Sequence, residues 1–324
     1  MTAPVRWGIL STARINRRLI PAAHASGKAE LVGVASRDQA RAEEYARQWE
    51  IPRAYGSYEA LLADEDIEAV YISLPNSLHV EWSIRALEAG KHVLCEKPMG
   101  KHAAGVEEAF DVADRAGLVL SEAFMYRHNP QARKLRELLD DGAIGEPRIV
   151  RARFGFALFD TDNIRLRPEV EGGSLMDVGC YCVNGSRLVA GEPELVFGSQ
   201  LIGPSGTDWL FTGSLRFPGD VFGLFDCWTM LPERDELEVL GTEGSLFLDD
   251  PWFAQPPLIE LRRDGGSERI ETEQADSYLL ELENVSDAIR ADGDLLLGRA
   301  DAVGNARALE ALAGSAESGL PVRL

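Results

Sequence analysis

The sequence has few positive charges, few cysteines and no long apolar run. Its 324 residues contain 33 lysines and arginines against 53 aspartates and glutamates, which gives a formal net charge of -20. Such a surface repels nucleic-acid phosphates and anionic lipid headgroups, so neither is an expected partner. No apolar stretch reaches the roughly 20 residues of a membrane-spanning helix, and the first residues lack the basic and apolar regions of a secretory signal. These absences predict a cytoplasmic protein with no membrane partner.

The four cysteines do not form a metal-binding pattern. They lie in apolar or mixed segments, and Cys180 and Cys182 are separated by one residue, which is not the spacing of a zinc ribbon. We therefore expect buried, reduced thiols and no metal site.

Apolar strands alternate with helical stretches through residues 1–123. This alternation is typical of a parallel, doubly wound Rossmann sheet with helices on both faces. From residue 124 to 324 the pattern changes to short alternating runs between Leu195 and Leu261, followed by two helical stretches. We expect a second, α+β domain with an open, mostly antiparallel sheet. Because an open apolar face needs a cover, the sequence predicts a homodimer or homotetramer that associates through that sheet.

The first strand-to-helix turn is the place where a dinucleotide-binding fingerprint would lie. Ser11, Ala13 and Asn16 occupy its three glycine positions, so the signal is weak, and an ordinary turn remains an alternative. After the second strand, Ser36 and Arg37 replace the usual ribose-binding acid and suit a 2′-phosphate. A solvated arginine is the alternative interpretation of Arg37.

Lys97 follows the apolar strand Val93–Cys95 and precedes Pro98, which ends the strand. The carboxyl end of such a strand faces the ligand crevice of a doubly wound sheet, although a lone lysine there is more often a surface residue. Pro75–Asn76 and His79 follow the third strong strand, where a helix cap and a packed histidine are the alternatives.

A second motif begins at Gly172–Gly173, where glycine permits a close approach of the backbone. Asp177 and Tyr181 lie four residues apart on the following helix, so a carboxylate and a phenol share one face. They could bind a polyhydroxylated ligand, or Tyr181 could simply pack in the core. The five histidines, at positions 24, 79, 92, 102 and 128, are assigned to the first domain, and we therefore expect that the second domain supplies no histidine base.

These motifs occur together and in this order in the Gfo/Idh/MocA oxidoreductases, which the chain resembles over its whole length. Within that family it is similar to the dimeric dihydrodiol and D-xylose dehydrogenase branch, which prefers NADP; His128–Asn129 departs from that branch. The resemblance implies Lys97, Tyr181 and Asp177 as catalytic residues. It implies that the cofactor contacts come from Ser11, Thr12, Ala13, Arg14, Ile15, Ser36, Arg37, Leu74, Pro75, Asn76, His79, Glu96, Lys97 and Arg127.

The resulting hypothesis is an oxidoreductase that uses NADP, with NAD as an alternative, on a carbinol or carbonyl carbon of a sugar or related polyol. Two rivals remain open: a non-catalytic sensor of dinucleotide or sugar with the same fold, and a glycosidase that uses NAD transiently. Lys97 and Tyr181 argue against the sensor, and Arg37 argues against the glycosidase.

Overall fold

The computed structural model describes residues 3–160 and 162–324, and the chain divides into two compact units. The first unit contains the described residues up to Met125 together with Asp276–Val303. The second contains Tyr126–Ala275 and Gly304–Leu324. The predicted division between residues 123 and 124 thus lies two residues before the observed one. The return of Asp276–Val303 to the first unit was not predicted.

The first unit is built on a parallel sheet. Its strands run in the order β3-β2-β1-β4-β5-β6, and every neighbouring pair is parallel. This is the order of a dinucleotide-binding Rossmann sheet, in which β1 and β4 flank the point where the order reverses. The strands are β1 Val5–Leu10, β2 Ala29–Ala35, β3 Arg53–Tyr55, β4 Ala69–Ile72, β5 His92–Glu96 and β6 Leu120–Ala123.

Helices connect these strands, and one further helix joins the unit from late in the chain. They are α1 Asn16–Ala25, α2 Gln39–Gln48, α3 Tyr58–Leu62, α4 His79–Glu88, α5 Ala103–Ala116 and, much later, α8 Ser277–Ile289. Asp38 begins α2 as a side-chain cap by accepting the backbone N–H of Arg41. On α8, Leu282 and Val285 are fully buried in the same core cluster as Trp7. This apolar contact explains why α8 belongs to the first unit although the sequence places it beyond residue 124.

The second unit is built on a mostly antiparallel sheet, in the order β14-β13-β12-β11-β7-β10-β9-β8-β15. Within this second sheet, only β7 and β10 pair in parallel among the described strands. The strands are β7 Pro147–Gly155, β8 Leu195–Ile202, β9 Asp208–Phe217, β10 Val221–Trp228, β11 Arg234–Gly241, β12 Ser245–Asp249, β13 Leu258–Arg263, β14 Gly266–Glu271 and β15 Val322–Arg323. Its helices are α6 Pro130–Asp140, α7 Cys180–Ala190 and the later part of α9 Arg299–Ser318. The predicted fold class is confirmed.

One face of this sheet is covered and the other is open. Along β10, Phe225 and Cys227 are buried, whereas Phe222 and Leu224 are 47% and 44% exposed. A groove of ≈ 610 Å³ lies on the open face, where apolar Phe197 and Leu224 adjoin charged side chains of β7, β10 and β11. Of the aromatic residues Phe211, Phe217, Phe222, Phe225 and Trp228 of β9 and β10, only Phe222 is exposed.

No helix within residues 3–160 and 162–324 is long and apolar enough to cross a membrane. All four cysteines are buried free thiols.

Candidate active site

The turn after β1 has the shape of a cofactor turn without its glycines. Ser11 has a φ of 130°, a conformation that glycine adopts readily and other residues rarely. Its hydroxyl donates to the carbonyl oxygen of Ser73 and accepts the backbone N–H of Ala13, both at 3.0 Å. Asn16, at the third glycine position, is fully buried and bonds the Ser11 carbonyl and the Ser73 hydroxyl. Ser73, which the sequence analysis missed, therefore connects the ends of β1 and β4.

The other predicted residues of this turn are accessible. Thr12, Ala13 and Ile15 are half-buried and Arg14 is exposed. Arg41 of α2 donates from its Nε to the Thr12 hydroxyl at 2.8 Å, so this arginine reaches the cofactor turn. Sequence reasoning missed Arg41, whose only local signal was its place one turn into the helix capped by Asp38.

Two arginines lie at the carboxyl end of β2. Burial raises the pKa of Tyr58, while the positive charges of Arg37 and Arg41 oppose that shift, so both guanidinium groups act on the same phenol. Ser36 is buried and its hydroxyl accepts the N–H of Asp38. Asp38 itself uses Oδ1 to cap α2. Arg37 after β2 and Arg41 on α2 thus place two guanidinium groups near the same tyrosine.

His79 connects the segments after β4 and β5. Its Nδ1 lies 2.9 Å from the carbonyl oxygen of Pro98, and its Nε2 lies 2.7 Å from that of Leu74. The ring is 1% exposed, and burial lowers the pKa of His79 against the opposing effect of both carbonyl contacts. Pro75 and Asn76 are half-buried, and Asn76 starts a short 3-10 turn, Asn76–Leu78. His79 therefore holds together two segments that are predicted to contact the cofactor, one after β4 and one after β5.

Lys97 is half-buried, whereas Glu96 before it and Pro98 after it are buried. The Lys97–Pro98 peptide bond is cis. Glu96 is held on both oxygens, because the Tyr71 hydroxyl donates to Oε1 and the Lys97 backbone N–H donates to Oε2 at 3.2 Å. Further along, the Met99 N–H donates to Glu122 of β6 at 2.7 Å. The backbone around Lys97 is thus fixed by side chains from β4, β5 and β6.

A second buried acid, Glu281, interacts electrostatically with Glu96. Glu281 of α8 is 1% exposed, and its Oε1 has no hydrogen-bond partner among the described residues. Burial and the charge of Glu96 raise the pKa of Glu281 well above its ordinary value. Tyr278, one turn earlier on α8, experiences the charges of both acids, and its pKa is raised first by burial. The sequence analysis did not identify this group.

In the second unit, the single helix predicted to carry Asp177 and Tyr181 is divided. A π-helical turn, Leu175–Gly179, contains Asp177, and the α-helix α7 begins at Cys180 and contains Tyr181. Arg165 donates from Nε to Asp177 Oδ2 at 2.7 Å, an ion pair that the sequence analysis missed. The carboxylate of Asp177 therefore has a guanidinium as its neighbour.

Tyr181 is 5% exposed and its ring lies in an aromatic cluster. The ring centroids of Phe154, Trp252 and Tyr126 are 5.3, 5.6 and 5.9 Å from its own. Such packing fixes the direction of the phenol.

Arg127 and His128 follow Tyr126 at the start of the second unit. Asn184 of α7 accepts hydrogen bonds through Oδ1 from the Tyr126 hydroxyl at 2.6 Å and from Arg127 Nη1 at 3.1 Å. The expectation that the second domain contains no histidine is wrong, because His128 lies beyond both the predicted boundary at residues 123–124 and the start of the second unit at Tyr126. His128 is buried, however, and burial followed by the charges of Arg127 and Arg133 lowers its pKa to about 3. Within the described residues no cluster of His, Cys, Asp and Glu could hold a metal ion.

Comparisons with known proteins match both parts of the chain. Residues 5–124 match a family model described as an oxidoreductase family with an NAD-binding Rossmann fold, and residues 132–247 match a GFO/IDH/MocA C-terminal domain. A D-xylose 1-dehydrogenase (NADP(+)) of Haloferax volcanii is 38% identical over 98% of this chain and 99% of that protein. A trans-1,2-dihydrobenzene-1,2-diol dehydrogenase of Bos taurus is 36% identical over 79% of this chain and 77% of that protein.

A solved structure has the same fold over nearly the same length. The 3-ketoreductase KijD10 of Actinomadura kijaniata, in complex with NADP and TDP-benzene, superposes with a TM-score of 0.91 at 29% identity. The alignment covers 96% of this chain and 98% of that one.

Proposed function

The chain belongs to the Gfo/Idh/MocA oxidoreductases, and from that membership we propose that it transfers a hydride between NADP and a carbinol or carbonyl carbon of a sugar or related polyol. The observation that carries the proposal is the position of Lys97. It is half-buried between buried neighbours at the carboxyl end of β5, in a sheet of dinucleotide-binding order.

The residues of the first unit fit a dinucleotide that carries a 2′-phosphate. Ser11 has the backbone conformation of a glycine turn, and Ala13 is small enough for a pyrophosphate to approach the start of α1. Arg37 would hold the 2′-phosphate with Ser36, and the contact with Thr12 directs Arg41 to the same region. When bound, NADP supplies the hydride acceptor or donor. A paired guanidinium contact to phosphate is worth more than a neutral hydrogen bond, which favours NADP over NAD.

We assign the proton transfer to Lys97 and Tyr181. Oxidation of a carbinol leaves a developing alkoxide, and its proton must be removed as the hydride departs. A free phenol has a pKa of about 10, too high for an efficient base near neutrality. A lysine ammonium that acts with it favours the phenolate. Either side chain is proposed as the direct proton carrier.

Asp177 is proposed to orient the substrate through a neighbouring hydroxyl. Its carboxylate accepts from Arg165, so the substrate meets an acceptor and a donor side by side. A sugar hydroxyl can satisfy both, because it donates one hydrogen bond and accepts others. The sugar class is further supported by the relative named as a D-xylose dehydrogenase.

The test is a screen of aldoses, polyols and keto-sugars, followed by NADPH absorbance, with Lys97→Met and Tyr181→Phe beside the wild type. Each substitution should lower kcat at least about a hundredfold, the usual weight of positioned acid–base catalysis. The double variant should be scarcely worse than the poorer single one, because residues that act as a unit are not additive. Lys134→Met, on the exposed face of α6, is the matched control.

Three results would contradict parts of this assignment. Near wild-type kcat in Tyr181→Phe would leave Lys97 as the sole acid–base. No turnover on any sugar by protein that binds NADP would favour the non-catalytic sensor. Turnover by a nicotinamide cofactor that co-purifies and is never released would favour the glycosidase-type reaction.

We also propose that the chain forms a homodimer or homotetramer through the open face of the second sheet. Phe197, Phe222 and Leu224 expose 41–47% of their surface there. Arg153 bridges Asp226 and Glu236 across three strands of the same sheet, so these charges are already paired within the chain and burial against a second copy would not leave them unpaired. Exposed apolar patches of this kind mark interfaces.

A further inference from the structure

The helix that carries Asp177 and Tyr181 starts without a cap of its own. Ser174 precedes the π-helical turn in a helical conformation, and its side chain makes no cap bond. The first N–H groups of a helix need acceptors, and without them the turn frays. Here the acceptor comes from a strand of the sheet. Asp208, the first residue of β9, accepts the Leu175 N–H at 2.7 Å and the Ser174 hydroxyl at 2.8 Å, both through Oδ2.

Two glycines fit the π-helical turn closely against the sheet. A β-carbon on Gly173 would lie 1.9 Å from Asp208 Oδ1, and the φ of 125° at this residue is itself unfavourable for other side chains. A β-carbon on Gly179 would lie 2.8 Å from the Cys227 sulfur of β10. The turn is therefore fixed at one end by the carboxylate of Asp208 and at the other by contact with β10.

Asp208 is surrounded by groups from the helix and from β10. Three groups face Asp208. The Ser174 hydroxyl and the Leu175 N–H lie on the helix side, and the Cys227 thiol lies on β10. Burial raises the pKa of Asp208, while the bonds from Leu175 and Ser174 oppose that shift. Burial and then the charge of Asp208 raise the pKa of Cys227, so the thiol stays neutral and Asp208 is the group that titrates.

We propose that Asp208 is a positioning residue, which fixes the π-helical turn from β9 and thereby sets the directions of Asp177 and Tyr181. The inference rests on the proposed function, since it assigns a task to residues that act there. Asp208 would act through the turn and not on the substrate. Loss of the carboxylate would let the turn relax towards a regular α-helix and rotate Asp177 relative to Tyr181, and a displacement of about 1 Å is enough to cost up to a hundredfold in rate.

The experiment compares Asp208→Ala and Asp208→Asn with the wild type. Asp208→Ala should lower kcat at least about tenfold and leave the Kd of NADP within about twofold. Asp208→Asn should recover most of that loss, because both helix bonds end on one oxygen that an amide retains. A protonated Asp208 keeps an acceptor oxygen as the amide does, so protonation of this residue should not by itself lower kcat.

Asp276→Ala is the control, because Asp276 caps α8 through the N–H groups of Tyr278 and Leu279 and has no proposed catalytic task. It should lower Tm and leave kcat unchanged. The inference is overturned if Asp208→Ala keeps kcat within twofold of wild type while its Tm falls, since the residue would then serve stability alone. If that variant does not fold, Asp208→Glu decides, because its longer side chain displaces the acceptor oxygen: kcat within twofold of wild type in folded Asp208→Glu overturns the inference. Wild-type activity in Tyr181→Phe would instead count against the proposed function.

Discussion

The Tyr71 hydroxyl donates a hydrogen bond to Glu96, the residue that immediately precedes Lys97. Tyr71 is on β4 and Glu96 on β5, so the bond joins the two strands just before the proposed catalytic lysine. Burial and then the charge of Glu96 raise the pKa of Tyr71 well above its ordinary value, which keeps the phenol as a hydrogen-bond donor. Glu96 thereby retains a fixed acceptor geometry, and the Lys97 N–H is held by its other oxygen.

Glu281→Gln should make the protein relatively more stable at alkaline pH. The folded-state pKa of Glu281 is raised, so the stability it contributes is fully present below its unfolded pKa and is lost as the pH rises through the folded value. The amide cannot ionise and removes that loss. In thermal unfolding from pH 5 to pH 8, the Tm of the variant minus that of wild type should rise by a few degrees, since 1 kcal/mol is worth about 2–4 °C in a chain of this order of size.

Glu283→Gln is the control on the same helix, where Glu283 accepts a bond from Ser26 and is half-buried. Its Tm difference from wild type should not grow between pH 5 and pH 8. A difference for Glu281→Gln that stays constant over this range would mean that Glu281 is ionised throughout.

Arg37→Ala should reduce discrimination between NADP and NAD about tenfold or more, because a charge-assisted bond to the 2′-phosphate is worth roughly 1.5–3 kcal/mol. Arg41→Ala should also weaken the binding of NADP, since the Thr12 hydroxyl holds the Arg41 guanidinium at the cofactor turn. Fluorescence titration with both dinucleotides measures each effect. Arg47→Ala, on the exposed end of α2, is the matched control. Equal affinity of the wild type for NAD and NADP would remove the basis of this prediction.

The features that sequence predicts well here are local ones. The apolar runs of β1, β4 and β5 identify a buried parallel sheet, and Pro98 fixes the end of the strand before Lys97. The family resemblance, the fold class and an NAD(P)-type cofactor are confirmed by the matched models. The motif from Gly172 to Tyr181 is visible because its spacing is short.

The features that were missed depend on contacts between distant residues. Glu281 meets the charge of Glu96 only because α8 returns to the first unit, and apolar periodicity does not tell which core a helix joins. Arg41 and Thr12 are 29 residues apart. The Asp208 cap and the π-helical turn have no local signature, since the acceptor comes from β9 and the helix would satisfy an α-helical period equally well.

Leu224→Glu should convert the proposed dimer or tetramer to a monomer. It places a charge on the exposed apolar part of the open sheet face, next to Phe197, where burial against a second copy would leave that charge unpaired. Light scattering at micromolar concentration gives the mass directly. Leu201→Glu, at another exposed position of the same sheet, tests how far the interface extends. A monomer mass for the wild type would reject association through this face.

His128→Phe should improve stability at mildly acid pH. The folded-state pKa of His128 is lowered to about 3, below an ordinary value of 6.5, so its contribution to stability is present above 6.5 and is lost as the pH falls towards 3. Each pH unit below 6.5 costs the wild type up to about 1.4 kcal/mol. Phenylalanine has no proton to gain, and the histidine's Nε2 has no hydrogen-bond partner among the described residues, so little is lost by replacing it. Urea unfolding at pH 7.5 and pH 5.5 should show wild type losing about 1 kcal/mol relative to the variant. The control is His24→Phe, at an exposed position on α1, which should show no such difference. Equal losses of stability in wild type and His128→Phe would contradict the prediction. They would mean that the His128 ring is charged in the folded protein or accessible to water.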